Sequence, residues 1–106
     1  MKLNDAYLDK INRIYGPQFA ETEPKKGYKF RVGQLVIGTG QVDSWDLEGN
    51  IFVITDYYNH TSHGETYRYC LHCVDTECTG KTWNVPERAI VPYASIPKDG
   101  AEHLWI

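Results

Sequence analysis

The sequence predicts a mainly β fold, a small five-stranded barrel preceded by one N-terminal α-helix. Three features point to it. After residue 28, apolar side chains recur with a period of two in five short runs. Helical spacing appears once, in residues 5 to 15. Eight Tyr, three Trp and three Phe make 13% of the 106 residues, and so many large rings in a small domain fit a β-rich core with some rings left at the surface.

Tyr7, Leu8, Ile11, Ile14 and Tyr15 recur at helical spacing, with Asp9, Lys10, Asn12 and Arg13 on the other face. Asn4 is the expected N-cap, Asp5 lies where the helix dipole favours an anion, and Gly16-Pro17 is the expected stop. A helix this short needs a surface to dock on, so residues 1–27, including a polar connector from residue 18 onward, are expected to pack on a barrel of residues 28–93. Residues 94–106 form a C-terminal extension. The predicted strands are 30–37, bent at Gly33, then 50–55, 66–74, 81–85 and 88–93, the last ending at an edge because Pro92 cannot donate to a ladder. In the third, Tyr67, Tyr69, Leu71 and Cys73 alternate with Arg68, Cys70, His72 and Val74, and the first set is expected to face the core. The connections are long loops at 38–49 and 56–65, a hairpin turn at 75–80, and one 3₁₀ turn at Pro86-Glu87.

This order resembles the SH3-like barrel superfamily over about residues 28 to 93. The likeness lies in Phe30, Val32, Gly33, Gln34, Leu35 and Val36 opening the first strand, in Gly49 to Ile54 for the second, and in Gly80, Trp83, Val85, Pro86, Glu87 and the apolar 90–92 that close the unit. The aromatic motif with which signalling SH3 domains bind proline-rich helices has no counterpart at 30–37. The acidic loops depart from the basic RNA-binding loops of ribosomal relatives. A compact, acidic, aromatic-rich chain also resembles short bacteriophage or prophage accessory proteins, which implies binding and modulating a host protein, or alternatively a structural role in the virion.

The length leaves no room for a second domain. No apolar run approaches the ~20 residues of a membrane span, and residues 1 to 5 lack a signal's apolar core, so a cytoplasmic protein is expected, away from membranes. The net charge is −3, divided unevenly: residues 1–31 hold seven basic and four acidic groups, and 32–106 hold four and ten. An acidic main body suits a protein partner with a basic surface better than it suits nucleic acid, and either a monomer or a homodimer fits. Three cysteines without an export signal predict reduced thiols.

The candidate partner-binding surface is a rim formed by the two long loops, with Asp43 and Asp46 as charges and Trp45, Tyr57 and Tyr58 as apolar anchors. The alternative is a nucleic-acid site at Lys25, Lys26, Lys29 and Arg31. Cys70-x-x-Cys73 has a familiar metal-ligand spacing, but strand alternation sends the two thiols to opposite faces. Cys70 and His72 share a face, and His60 or His63 in the preceding loop are the further candidate ligands. The preferred reading is no metal and no cofactor, with Cys73 in the core, Cys70 partly covered and Cys78 in a turn. Cys70 with His72 also lacks an oxyanion-stabilising element, and no phosphate-binding Gly loop is present. Asp75 and Glu77, like Asp43, Asp46 and Glu48, read as solubilising loop acids. The sequence therefore predicts a small non-enzymatic protein-interaction module.

Overall fold

The computed structural model describes residues 3–19, 23–42, 45–59 and 67–93. Asp43, His60, His63 and the C-terminal extension lie outside the described residues. Helix α1 spans Asp5–Phe19 and is capped as expected: the Asn4 side-chain oxygen accepts a bond from the Tyr7 amide at 3.1 Å. It runs past the predicted stop at Gly16-Pro17, with Pro17 in its last turn. Ile11 is the centre of its buried stripe, 2% exposed, and packs with Tyr7, Leu8 and Tyr15 among Ile51, Val53 and Val74. Ile14, expected on that stripe, is 58% exposed; it sits at the margin of the apolar arc.

Among the described residues seven strands follow: β1 Leu35–Gly38, β2 Gln41–Val42, β3 Trp45–Asp46, β4 Ile51–Asn59, β5 Tyr67–Cys73, β6 Thr82–Pro86 and β7 Ile90–Pro92, with a 3₁₀ turn at Glu87–Ala89. Five of them form one antiparallel sheet in the order β6-β5-β4-β1-β7, and β2 pairs with β3 as a separate ribbon. The protein is thus mainly β with one N-terminal helix. The first predicted strand is shorter than the sequence suggests. Gly33 adopts φ +87°, so residues 28–34 turn rather than extend, and Phe30 and Val32 enter the core from that turn. The segment is still tied to the sheet: the Gly33 amide donates to Ile54 at 2.7 Å, and the Ile54 amide donates to Gln34 at 3.1 Å.

The apolar run 51–54 does not alternate with polar residues because both faces of β4 are covered. Phe52 and Ile54 belong to an inner core with Phe30, Val36, Tyr69 and Leu71, whereas Ile51 and Val53 lie beneath α1 in an outer one. A register shift between Ile54 and Asp56 leaves Thr55 as an extra residue. Beyond that bulge the facing changes parity, so Tyr57 turns inward and Asp56 outward. Residues 56–59, predicted as loop, therefore continue β4. Among the described residues no helix is long and apolar enough to cross a membrane.

The turn between β5 and β6 departs most from expectation. Cys73 and Cys78 form a disulfide with their Cα atoms 5.7 Å apart, and Cys70 is the free cysteine. The hairpin itself makes the pairing, bringing together two residues that neither parity nor spacing along β5 would join. Asp75, expected to be a solvated loop acid, is fully buried. Its carboxylate accepts from the Ile51 amide at 2.7 Å, the Glu77 amide at 2.8 Å, the Asn50 side chain at 3.2 Å and the Cys78 amide at 3.3 Å. A buried charge is tolerated when hydrogen bonds replace its hydration. The same turn receives α1, because the Asn4 amide donates to Val74 at 2.7 Å and its side chain reaches Thr79 at 3.1 Å.

Candidate functional site

The sequence-predicted rim residues occupy three separate places. Trp45 and Asp46 form β3, and both are exposed. The ribbon that carries them is held down by buried Val42 and Leu47 and by the close approach of Leu47 to Gly38, where any side chain would strike the Leu47 backbone. Trp45 remains 54% exposed, yet its ring meets Trp83 edge-on at 6.1 Å, and Trp83 in turn meets the buried Phe52 at 5.5 Å. Joined edge to face in this way, the three rings run from core to solvent. Asp46 accepts from the Glu48 amide at 3.0 Å.

Tyr57 belongs to a different group. Its ring lies 4.5 Å from Tyr28 and 6.2 Å from Tyr69, and its hydroxyl accepts from the Lys25 amide at 3.1 Å. Tyr57 pairs with Tyr69, whereas Trp83 pairs with Leu71; two strand spacings across and one side-chain repeat along place Tyr57 and Trp83 roughly 12 Å apart at the backbone. Tyr67, predicted on the buried face, is 44% exposed: it stands at the end of β5, edge-on to Tyr28 at 5.0 Å and over Gly27. Tyr58 points to the opposite sheet face, across from Arg68, and is 42% exposed.

The connector crosses this tyrosine group. Tyr69 accepts from the Lys29 and Phe30 amides at 2.9 and 3.0 Å and donates to Glu87. Burial first, and then Glu87, raise its phenol far above the ordinary value, so it stays a donor. The Tyr28 hydroxyl is buried without a hydrogen-bond partner, and burial raises its pKa as well. Lys25, Lys26 and Lys29 are exposed and Arg31 half-buried. Lys25 Nζ lies 6.0 Å from the Tyr57 ring centre, and Lys29 Nζ 5.4 Å from that of Phe30. Arg31 donates to the Val32 carbonyl at 3.2 Å and lines an open cavity of about 460 Å³ with Gln34, Leu35, Pro92 and Tyr93. Among the described residues none of these four cations pairs with a carboxylate.

Cys70 and His72 share the outer face of β5, as alternation required. Burial, and behind it the charge of Asp56, push the Cys70 thiol up, against a weaker opposing contribution from Asn84. The thiol is therefore protonated at neutral pH and is not primed as a nucleophile. Burial lowers the pKa of His72, whose Nδ1 lies 3.3 Å from the Thr55 hydroxyl and whose ring lies 5.6 Å from that of Tyr15. A histidine with a depressed folded pKa binds fewer protons than the unfolded chain once the pH falls below about 6.5. Its neutral form contributes fully above that pH, and the contribution is lost as the pH falls toward the folded pKa. Urea unfolding at pH 7 and pH 5 is expected to show lower stability at pH 5, with a smaller difference in His72→Gln; equal differences in parent and variant would assign the effect to other groups.

Trp83, Thr55, Asp75 and Cys78 are the residues that sequence reasoning undervalued. For Trp83 a signal existed, since a tryptophan in a short strand needs a large neighbour; for the others the signal lay in pairing across the sheet. The chain matches no family model, no curated protein and no solved structure.

Proposed function

We propose that this chain is a small non-enzymatic protein-interaction module whose five-stranded sheet closes as an SH3-like barrel and whose primary contact is the Trp45 face. The observation that carries the reading is the edge-to-face ring series Trp45, Trp83 and Phe52. A half-exposed indole braced from behind by a second tryptophan presents a large apolar area already fixed in place, which is how interface anchors act. Asp46 and Glu48 beside it suit a partner with a basic surface.

The test uses a partner recovered from nuclease-treated extract by the intact protein. Trp45→Ala is expected to cost about 2 kcal/mol or more of affinity, roughly 30-fold in Kd, while leaving folding stability within about 1 kcal/mol, because the ring is surface-exposed. Asp46→Asn should slow association and flatten its salt dependence. Equal binding by parent and Trp45→Ala would move the site elsewhere.

One observation favours a second reading. Lys25, Lys26, Lys29 and Arg31 lie within seven residues, lack carboxylate partners among the described residues, and adjoin the exposed Tyr67. Cations interleaved with stacking rings fit a single-stranded nucleic acid. Retention of labelled single-stranded DNA at low salt, lost in Lys25→Gln/Lys26→Gln, would support this reading over the first.

A further inference from the structure

The turn that joins β5 to β6 gathers a set of donor atoms that neither proposed binding surface uses. Cys73 Sγ, Cys78 Sγ and a carboxylate oxygen of Asp75 lie within 4.8 Å of one another. We propose that, once the Cys73–Cys78 disulfide is reduced, this turn binds one thiolate-preferring divalent cation of the zinc class through Cys73, Cys78 and Asp75.

With metal–sulfur and metal–oxygen distances of ~2.3 and ~2.1 Å, neighbouring ligands on a tetrahedron stand ~3.6 Å apart for S and O. Cys78 Sγ and Asp75 Oδ1 are already 3.6 Å apart. The two sulfurs must separate, and half-buried Cys78 is the one free to yield.

Hydrogen bonds close the turn in addition to its disulfide. The Cys73 amide donates to Lys81 at 2.8 Å, the Gly80 amide to Cys73 at 3.1 Å, and the Lys81 amide to Cys78 at 3.0 Å. Thr79 closes the loop on the Asp75 carbonyl at 2.6 Å. These bonds keep the three donors together when the sulfurs part. The Ile51 amide and the Asn50 side chain hold Oδ2 and orient the carboxylate as outer-shell partners orient a metal ligand, while an ion at Oδ1 takes the place of the longer bond from the Cys78 amide.

Asp75 is fully buried, and its carboxylate is held by neutral donors. A divalent cation at this place balances the carboxylate and the two thiolates that bind it, and its binding releases the thiol protons. Paired sulfur donors select a soft ion over magnesium or calcium.

The reaction balances in two steps. A dithiol reductant gives two electrons and two protons, so that the S–S bond breaks, two thiols form and the reductant closes its own disulfide. The cation then replaces both thiol protons, which pass to water, and solvent at the Cys78 side completes the tetrahedron.

The probe is cobalt(II) added to the full chain after reduction by a phosphine and removal of the excess. Expected are one cobalt per chain, a thiolate-to-cobalt charge-transfer band in the near ultraviolet, tetrahedral visible bands, and loss of both on adding zinc. Cys78→Ser should weaken binding at least tenfold and remove most of the charge-transfer intensity, whereas Cys70→Ser should change neither. The oxidised protein should show no such band. A reduced protein without the charge-transfer band, a band that survives Cys78→Ser, or one that disappears with Cys70→Ser would overturn the assignment.

Discussion

Replacing Asp75 with Ala is expected to destabilise the protein by about 3 to 5 kcal/mol, the largest effect of any single substitution outside the ring core. Its carboxylate accepts from three backbone amides and one side-chain amide, all of which lose their acceptor together. Each buried donor stranded in this way costs about 1 to 3 kcal/mol, although such costs do not add fully within one network. Asp75→Asn should recover little, since its NH₂ group would face donors that the second carboxylate oxygen now satisfies. Urea unfolding followed by tryptophan fluorescence reads the change as a lower midpoint at constant m. A loss below about 1 kcal/mol would mean that water satisfies these amides and that Asp75 does not organise the turn.

Ile11→Ala is expected to cost about 2 to 4 kcal/mol, through lost burial and the cavity left beneath α1. Ile11 is 2% exposed and packs with Ile51, Val53 and Val74. Ile14→Ala, three residues on and mostly exposed, should fall within about 0.5 kcal/mol. The contrast between the two, measured by the same urea titration, separates a docked helix from one that merely adjoins the sheet. Similar small losses for both would show that the outer core does not contribute to folding.

Much of this architecture was legible because local patterns and tertiary demands agree. Asn4 before an apolar periodic segment predicted the cap that forms, and alternation in β5 put Tyr69, Leu71 and Cys73 inside. Tyr67 escaped that rule because it lies at the strand end, where the core stops. The continuous apolar run 51–54 marked a strand but could not say that α1 covers its second face, since that covering depends on a segment forty residues earlier. The bulge at Thr55 was invisible because nothing in Thr-Asp-Tyr-Tyr distinguishes a parity change from the start of a loop.

The candidate site was less legible for the same reason. Trp45, Asp46, Tyr57 and Tyr58 are all in surface-reaching positions, but a one-residue bulge and the folding of β2 and β3 into a ribbon divide them among different faces. Proximity in loop order was a poor guide to proximity in space. Asp75 illustrates the opposite error: an aspartate in a turn next to Thr, Glu and Gly looks solvated, and its burial depends on amides from β4 that only the sheet register supplies.

The fold rests on one structural claim, that five strands form a single antiparallel sheet whose outer face carries α1 over Ile51, Val53 and Val74. Nuclear Overhauser contacts in isotope-labelled protein measure it directly. The account predicts methyl contacts from Ile11 to Ile51, Val53 and Val74, together with amide or Hα contacts between Ile37 and Val91 that join β1 to β7. Absence of the Ile11 contacts in a folded sample, or pairing of β7 with a strand other than β1, would contradict it.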